Sequence, residues 1–347
     1  MKLLKIGLFL LSLGLWGCAD DIDEFVPDLV TDPGGNELVG DIGNFFDAID
    51  ESEFTETFSG YADWGFMIVT KHETIIDIPP AGFINPVTGA SVTGVIDVDI
   101  IELRTPGEIL LMGIQTESHG NLLQSGGEFH LSVSQNGQKL ELEPGKQVRF
   151  RVVDSNPKDR MELWYTTDTQ VDPVTGEMGE TWDDADDDPS TWDNVRVSEW
   201  TIQLDSTNGG GDILDGFGYD CWSDSLNWIN IDLFMELAED EITDACVALP
   251  DSFGNTNSVV YLIFDDFNGI IRLPGNPDEM LFCNYYTNYI KVGVPIGAPV
   301  KFVVISELGE DCYYFDLVET VIEVDHLENM EPVKMTFEEI KDIIMGL

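Results

Sequence analysis

The chain has 347 residues and a formal net charge of −50, from 66 acidic and 16 basic residues. Such a charge repels nucleic acid and anionic lipid surfaces and argues against both as binding partners, while it favours solubility and divalent cations. Yet 43% of residues are hydrophobic and 10% aromatic, which excludes a disordered acidic tail. Sixteen prolines and 33 glycines punctuate short apolar runs, as in all-β chains, and the length suffices for two domains.

The first seventeen residues carry Lys2 and Lys5, an apolar run from Ile6 to Leu15, and a small residue, Gly17, before Cys18. A positive n-region, a short h-region and a small residue describe a secretory signal peptide over residues 1–17, too short to span a bilayer. Leu15-Trp16-Gly17-Cys18 resembles a bacterial lipobox, and that resemblance implies a lipid on Cys18. The acidic stretch Ala19-Asp20-Asp21-Ile22-Asp23-Glu24 is similar to the export signal of Bacteroidota surface lipoproteins. Together they imply an outer-membrane protein held by an N-terminal lipid anchor and exposed at the cell surface.

Residues 18–53 read as the lipidated N-terminus and a tether, with a short helix within Asp41–Asp50 that places Phe45, Phe46 and Ile49 on one face. From Phe54 the pattern turns to strands. In Val95–Ile100, Ile96, Val98 and Ile100 point one way and Asp97 and Asp99 the other. Asn136-Gly137 lies between two alternating runs, the strongest short-range sign of a hairpin, because a type I′ turn needs positive φ at both positions. Val148, Phe150 and Val152 alternate with Arg149 and Arg151 in the next strand. A first β-sandwich is expected over 54–165.

Residues 166–195 read as an acidic loop without Lys or Arg. Asp184, Asp186 and Asp188 have the spacing that opens a calcium loop, and Asp193 or Glu180 would add further ligands. Pro189 and Val195 stand where an EF-hand needs Gly and Glu, so a true EF-hand is excluded; the alternatives are an irregular Ca2+ loop and a solvated acidic loop without metal. Trp182 and Trp192 in the same segment are candidates to stack on sugar rings, with packing beneath the loop as the favoured alternative.

Strands return at Val197–Ile202 and continue at Trp228–Phe234, Val259–Phe264, Tyr285–Val292, Val300–Ile305 and Tyr313–Val324, giving a second sandwich over 196–347. Thr336-Phe337-Glu338-Glu339 is a capping-box pattern, and Phe337, Ile340, Ile344 and Leu347 form the stripe of a terminal helix. Besides Cys18 there are Cys221, Cys246, Cys283 and Cys312. An even count in an exported chain suggests two disulfides; of the three connectivities the local pairs Cys221–Cys246 and Cys283–Cys312 are preferred.

One further resemblance lies in the first sandwich. Ile76-Asp77-Ile78-Pro79-Pro80-Ala81-Gly82-Phe83, Pro86-Val87-Thr88-Gly89, Gly113-Ile114, Ser125-Gly126-Gly127-Glu128-Phe129 and Gln135-Asn136-Gly137 follow in an order similar to the ZU5-like module of Bacteroidota exported lipoproteins, over about residues 70–153. It implies two stacked immunoglobulin/ZU5-like sandwiches on a lipid anchor, without enzymatic activity. No nucleophile elbow, HExxH, P-loop or dinucleotide motif is present. The expected protein is all-β, with two β-sandwich domains and a short C-terminal helix, and serves as a structural or binding module without catalysis. A surface protein or glycan is the expected partner, and no nucleic acid. The alternative is a carbohydrate-binding protein associated with a glycan uptake system.

Overall fold

The computed structural model describes residues 40–171, 178–185, 194–203, 213–276, 281–285, 292–309 and 311–347. The fold is all-β, with two β-sandwiches and a short C-terminal helix, as the periodicity predicts.

The first sandwich is built from β1 (Thr55–Tyr61), β2 (Phe66–Val69), β3 (Ile75–Ile78), β4 (Val95–Leu103), β5 (Asn121–Gln135), β6 (Val148–Val153), β7 (Glu162–Val171), β8 (Met178–Asp184), β9 (Val195–Gln203), β10 (Ile213–Ser223) and β11 (Asn227–Phe234). One sheet runs β1–β4–β5–β11–β7–β8 and the other β9–β10–β6–β3–β2. Alternation decides what each strand buries. Ile96, Val98 and Ile100 of β4 meet Ile76, Val148, Phe150 and Val152 of the facing sheet in one core. The Asn136-Gly137 turn has positive φ at both residues, as its type requires.

On the outer face of the second sheet, Arg149 makes two 2.7 Å bonds to Asp220, and Arg151 reaches Asp77 at 2.7 Å. Arg149 and Arg196 both lie over the ring of Trp222, at 5.0 and 5.4 Å from its centroid. Edge strand β9 is thereby tied across β10 to β6.

The second sandwich comprises β12 (Ala245–Ala248), β13 (Ser258–Phe264), β14 (Gly269–Leu273), β15 (Leu281–Cys283), β16 (Pro299–Glu307), β17 (Tyr313–Val321), β18 (His326–Asn329) and β19 (Val333–Met335). One sheet includes β15–β12–β18 and the other runs β14–β13–β16–β17–β19. Every residue of β13, Ser258-Val259-Val260-Tyr261-Leu262-Ile263-Phe264, is buried. Val260, Leu262 and Phe264 face the sandwich interior, while Val259, Tyr261 and Ile263 face the first sandwich.

Three helices fill the space between the sandwiches: α1 (Gly43–Asp47), α2 (Pro106–Leu111) and α3 (Phe337–Met345). α2 and α3 each open on a complete capping box, Thr105 with Glu108 and Thr336 with Glu339. Phe45, Ile109, Leu110, Ile340 and Ile344 join Leu103, Trp164 and Trp182 of the first sandwich and Val303, Ile305 and Phe315 of the second in a shared third core. Backbone bonds stitch the same seam: Thr116 N–H donates to Ile270 O at 2.8 Å, and Ser125 N–H to Asn268 O at 2.7 Å.

Three expectations are corrected here. The sandwich boundary does not fall at 166–195, because β9, β10 and β11 return to the first sandwich; it falls between Phe234 and Ala245. Within 166–195, residues up to Val171 and from Met178 to Asp184 belong to the β7–β8 pair rather than to a loop. Residues 40–53 are not tether: Phe45 is fully buried in the junction, and Asn44 donates to Glu307 at 2.9 Å.

Candidate functional site

The sequence-predicted site residues divide in two. Cys18, Asp186, Asp188, Trp192 and Asp193 lie outside the described residues, as does the side chain of Glu180. Asp184 closes β8 opposite Trp164, and its neighbour Asp183 bonds His119 at 2.5 Å. Among the described residues no three potential ligands gather around one point.

For Trp182 the favoured packing alternative holds, and sugar stacking is overturned. Its side chain is buried in the junction core, and its indole N–H donates to Gln115 O at 2.8 Å. With its ring enclosed, it offers no face to a sugar. The cysteine pairing is corrected as well. Cys246 on β12 and Cys283 on β15 are directly opposed and form a disulfide, which rules out both local pairs. Cys221 is a buried free thiol in the first core, and burial pushes its thiol well up from the ordinary range.

The feature that sequence reasoning missed is the outer face of the first sheet. Register sets it in rows. Tyr61 of β1 opposes Val95 of β4; Ser59, Asp97 and Ser134 form the next row; Thr57, Asp99 and Ser132 the next; and Ile101, His130 and Trp228 the last. Rows on one face are two residues apart, about 7 Å, so the strip runs about 20 Å along β1. Aspartate is disfavoured in strands, yet two sit in the middle of β4. Hydroxyls on the edge strand satisfy them: Thr57 donates to Asp99 and Ser59 to Asp97, each at 2.6 Å. At the junction end the His130 ring lies 5.1 Å from that of Trp228, and burial holds its imidazole below the ordinary value.

The far end carries two exposed aromatic rings. Tyr61 is 51% and Trp64 77% exposed, and their centroids are 5.2 Å apart with a 37° tilt. The turn beneath them is fixed. Ala62 is fully buried and bonds Gly94 O through its N–H at 2.9 Å, while its own carbonyl accepts from Ala81 at 2.7 Å. Asp63 accepts from Gly94 N–H at 2.7 Å. Gly65 adopts positive φ, and a Cβ there would fall 2.3 Å from Ile78 O. Gln135 caps the neighbouring edge by donating to Thr93 O and Val95 O at 2.8 and 2.9 Å. The rings are therefore held out on a rigid base. The sequence signal was available as Tyr61-Ala62-Asp63-Trp64-Gly65, two aromatics astride a turn after a strand.

A second polar group lies buried between the sandwiches. Ser125 donates to Asn230 at 2.9 Å, and Asn230 donates to Asp232 Oδ2 at 2.7 Å. Asp232 is fully buried, and desolvation pushes its carboxyl well above the ordinary range. Its Oδ1 has no hydrogen-bond partner among the described residues. Its position inside the seam makes it part of the junction rather than of a surface site.

Neither a known protein-family model nor any curated protein matches the chain.

Proposed function

We propose that the protein is a surface-exposed outer-membrane lipoprotein, anchored through a lipid on Cys18, that serves as a rigid binding or structural module without catalysis. The observation that carries this reading is the shared core, which makes one stiff body of two sandwiches and holds Trp64 and Tyr61 away from the junction. The chain enters that body at its waist. Gly40 packs so tightly against the backbone of Glu307 that a Cβ would fall 1.7 Å from its carbonyl oxygen. The lipobox-like end at Cys18 and the likeness of residues 70–153 to a ZU5-like module support the same reading.

Cys18→Ala is expected to move the protein from the membrane to the soluble fraction, and wild type is expected to take up labelled palmitate. Extracellular protease is expected to degrade it on intact cells. An unlabelled protein that stays in the membrane after the substitution defeats the anchoring. Protection on intact cells defeats the surface exposure.

A further inference from the structure

We propose that the outer face of the first sheet, from Tyr61 and Trp64 down to Thr57 and Asp99, binds a neutral glycan strand. This rests on the binding-module reading and names its ligand class. Two independent observations meet on that face. The first is the exposed ring pair on a fixed turn. A pyranose offers a face of C–H bonds, and a flat indole or phenol is the protein surface that matches it; Tyr and Trp combine an apolar face with a polar tip for this kind of contact. The two rings touch, 5.2 Å apart with a 37° tilt, and together make one exposed aromatic patch at the end of the strip.

The second observation is the hydroxyl–carboxylate ladder in register behind the rings: Ser59 with Asp97, Thr57 with Asp99, and Ser132 and Ser134 beside them. Hydroxyls donate and accept, and ionised carboxylates accept strongly, which is what a ligand studded with hydroxyl groups needs. A polar, chemically alternating face of this kind is poorly suited to an apolar partner. A peptide strand would instead pair with a sheet edge and leave the face unused.

Charge selects among glycans. Asp97 and Asp99 stand on the face, and the whole chain carries −50, so uronic-acid and sulfated chains are repelled. An anionic lipid surface is disfavoured for the same reason.

The test is electrophoresis of the full-length protein, held in detergent, through native gels containing a β-glucan, a mannan, a xylan or a starch-type glucan. Polygalacturonate gels and polysaccharide-free gels serve as controls. At least one neutral polysaccharide is expected to retard the protein. Trp64→Ala and Tyr61→Ala are each expected to weaken the apparent affinity at least tenfold at unchanged melting temperature, and Asp97→Asn severalfold. Trp64→Phe is expected to restore part of it. Added salt is expected to change the retardation little, because a neutral ligand has no charge to screen. Any of three results overturns the proposal: no retardation by any neutral polysaccharide, retardation that survives both aromatic substitutions, or retardation by polygalacturonate alone. Binding to zwitterionic vesicles that Trp64→Ala abolishes, without polysaccharide binding, assigns the rings to a membrane contact instead. None of these outcomes touches Cys18 or the surface-exposure test, so the two readings fail separately.

Discussion

Gly107 in α2 and Ile344 in α3 meet backbone to backbone: a Cβ on Gly107 would fall 1.9 Å from the carbonyl oxygen of Ile344. No rotamer relieves a clash with a carbonyl. Gly107→Ala must push the two helices apart inside the shared core, and overpacking of this kind costs about 1–3 kcal/mol. Ile344→Ala, which leaves a cavity at the same place, costs about 2–5 kcal/mol. Urea unfolding followed by fluorescence and by circular dichroism is expected to show one coincident transition in wild type. If the two sandwiches melt separately, the shared core does not couple them.

Asp232 makes stability depend on pH in a definite direction. Its folded pKa is raised by burial, so the folded state keeps a proton that the unfolded chain releases. The stability this contributes is complete below the unfolded value of about 3.9 and is lost as pH rises toward the folded one. Asp232→Asn removes the titration and keeps an acceptor for Asn230. The variant is expected to gain on wild type progressively as pH rises above the unfolded value, read from urea midpoints. A stability difference independent of pH refutes the assignment.

Cys246 and Cys283 should appear as one linked peptide pair in non-reducing digests. Replacing both by alanine is expected to cost about 2–4 kcal/mol. Cys221, buried in the first core, is expected to resist alkylation until denaturant is added. Rapid labelling of Cys221 in the native protein contradicts its burial.

Trp222→Ala removes the ring beneath both Arg149 and Arg196. Each such contact is worth about 0.5–1 kcal/mol at an exposed site. The loss is expected to fall on edge strand β9, as faster amide exchange at Val195–Gln203 with β6 little changed. Uniform acceleration across the sheet places the ring's role elsewhere.

Local features were the most legible in the sequence. The Asn136-Gly137 turn, the alternation at Ile96, Val98 and Ile100 and the capping box at Thr336 each depend on residues within one turn or strand, and each formed as expected. Which sheet a strand joins depends on partners far away, so Val197–Ile202, which by its place in the chain reads as part of the second sandwich, joins the first. β13 reads as one continuous apolar run because both of its faces are covered, a property that composition registers without saying by what. The α2 signal, Thr105-Pro106-Gly107-Glu108, is a complete capping box set between two strands. Cys246 and Cys283 are neighbours only once β12 and β15 are in register. Of the candidate site, the strip on the first sheet needed that same register: Asp97 and Asp99 are merely the polar half of an alternation until Ser59 and Thr57 lie beside them.

The seam between the sandwiches joins the two ends of the described chain. The ring of Phe45 lies 5.2 Å from that of Phe337, and Lys341 reaches Glu53 at 2.6 Å. Contacts of such sequence separation are the slowest to form, because the whole intervening loop must close before they contribute. A polypeptide emerging N-terminus first therefore cannot complete its waist until the segment Phe337–Leu347 is free. Until then each sandwich can close its own core while the junction between them stays open. Helix α3 acts as the latch of that junction, and a truncation that spares every strand but removes this helix still leaves the junction open.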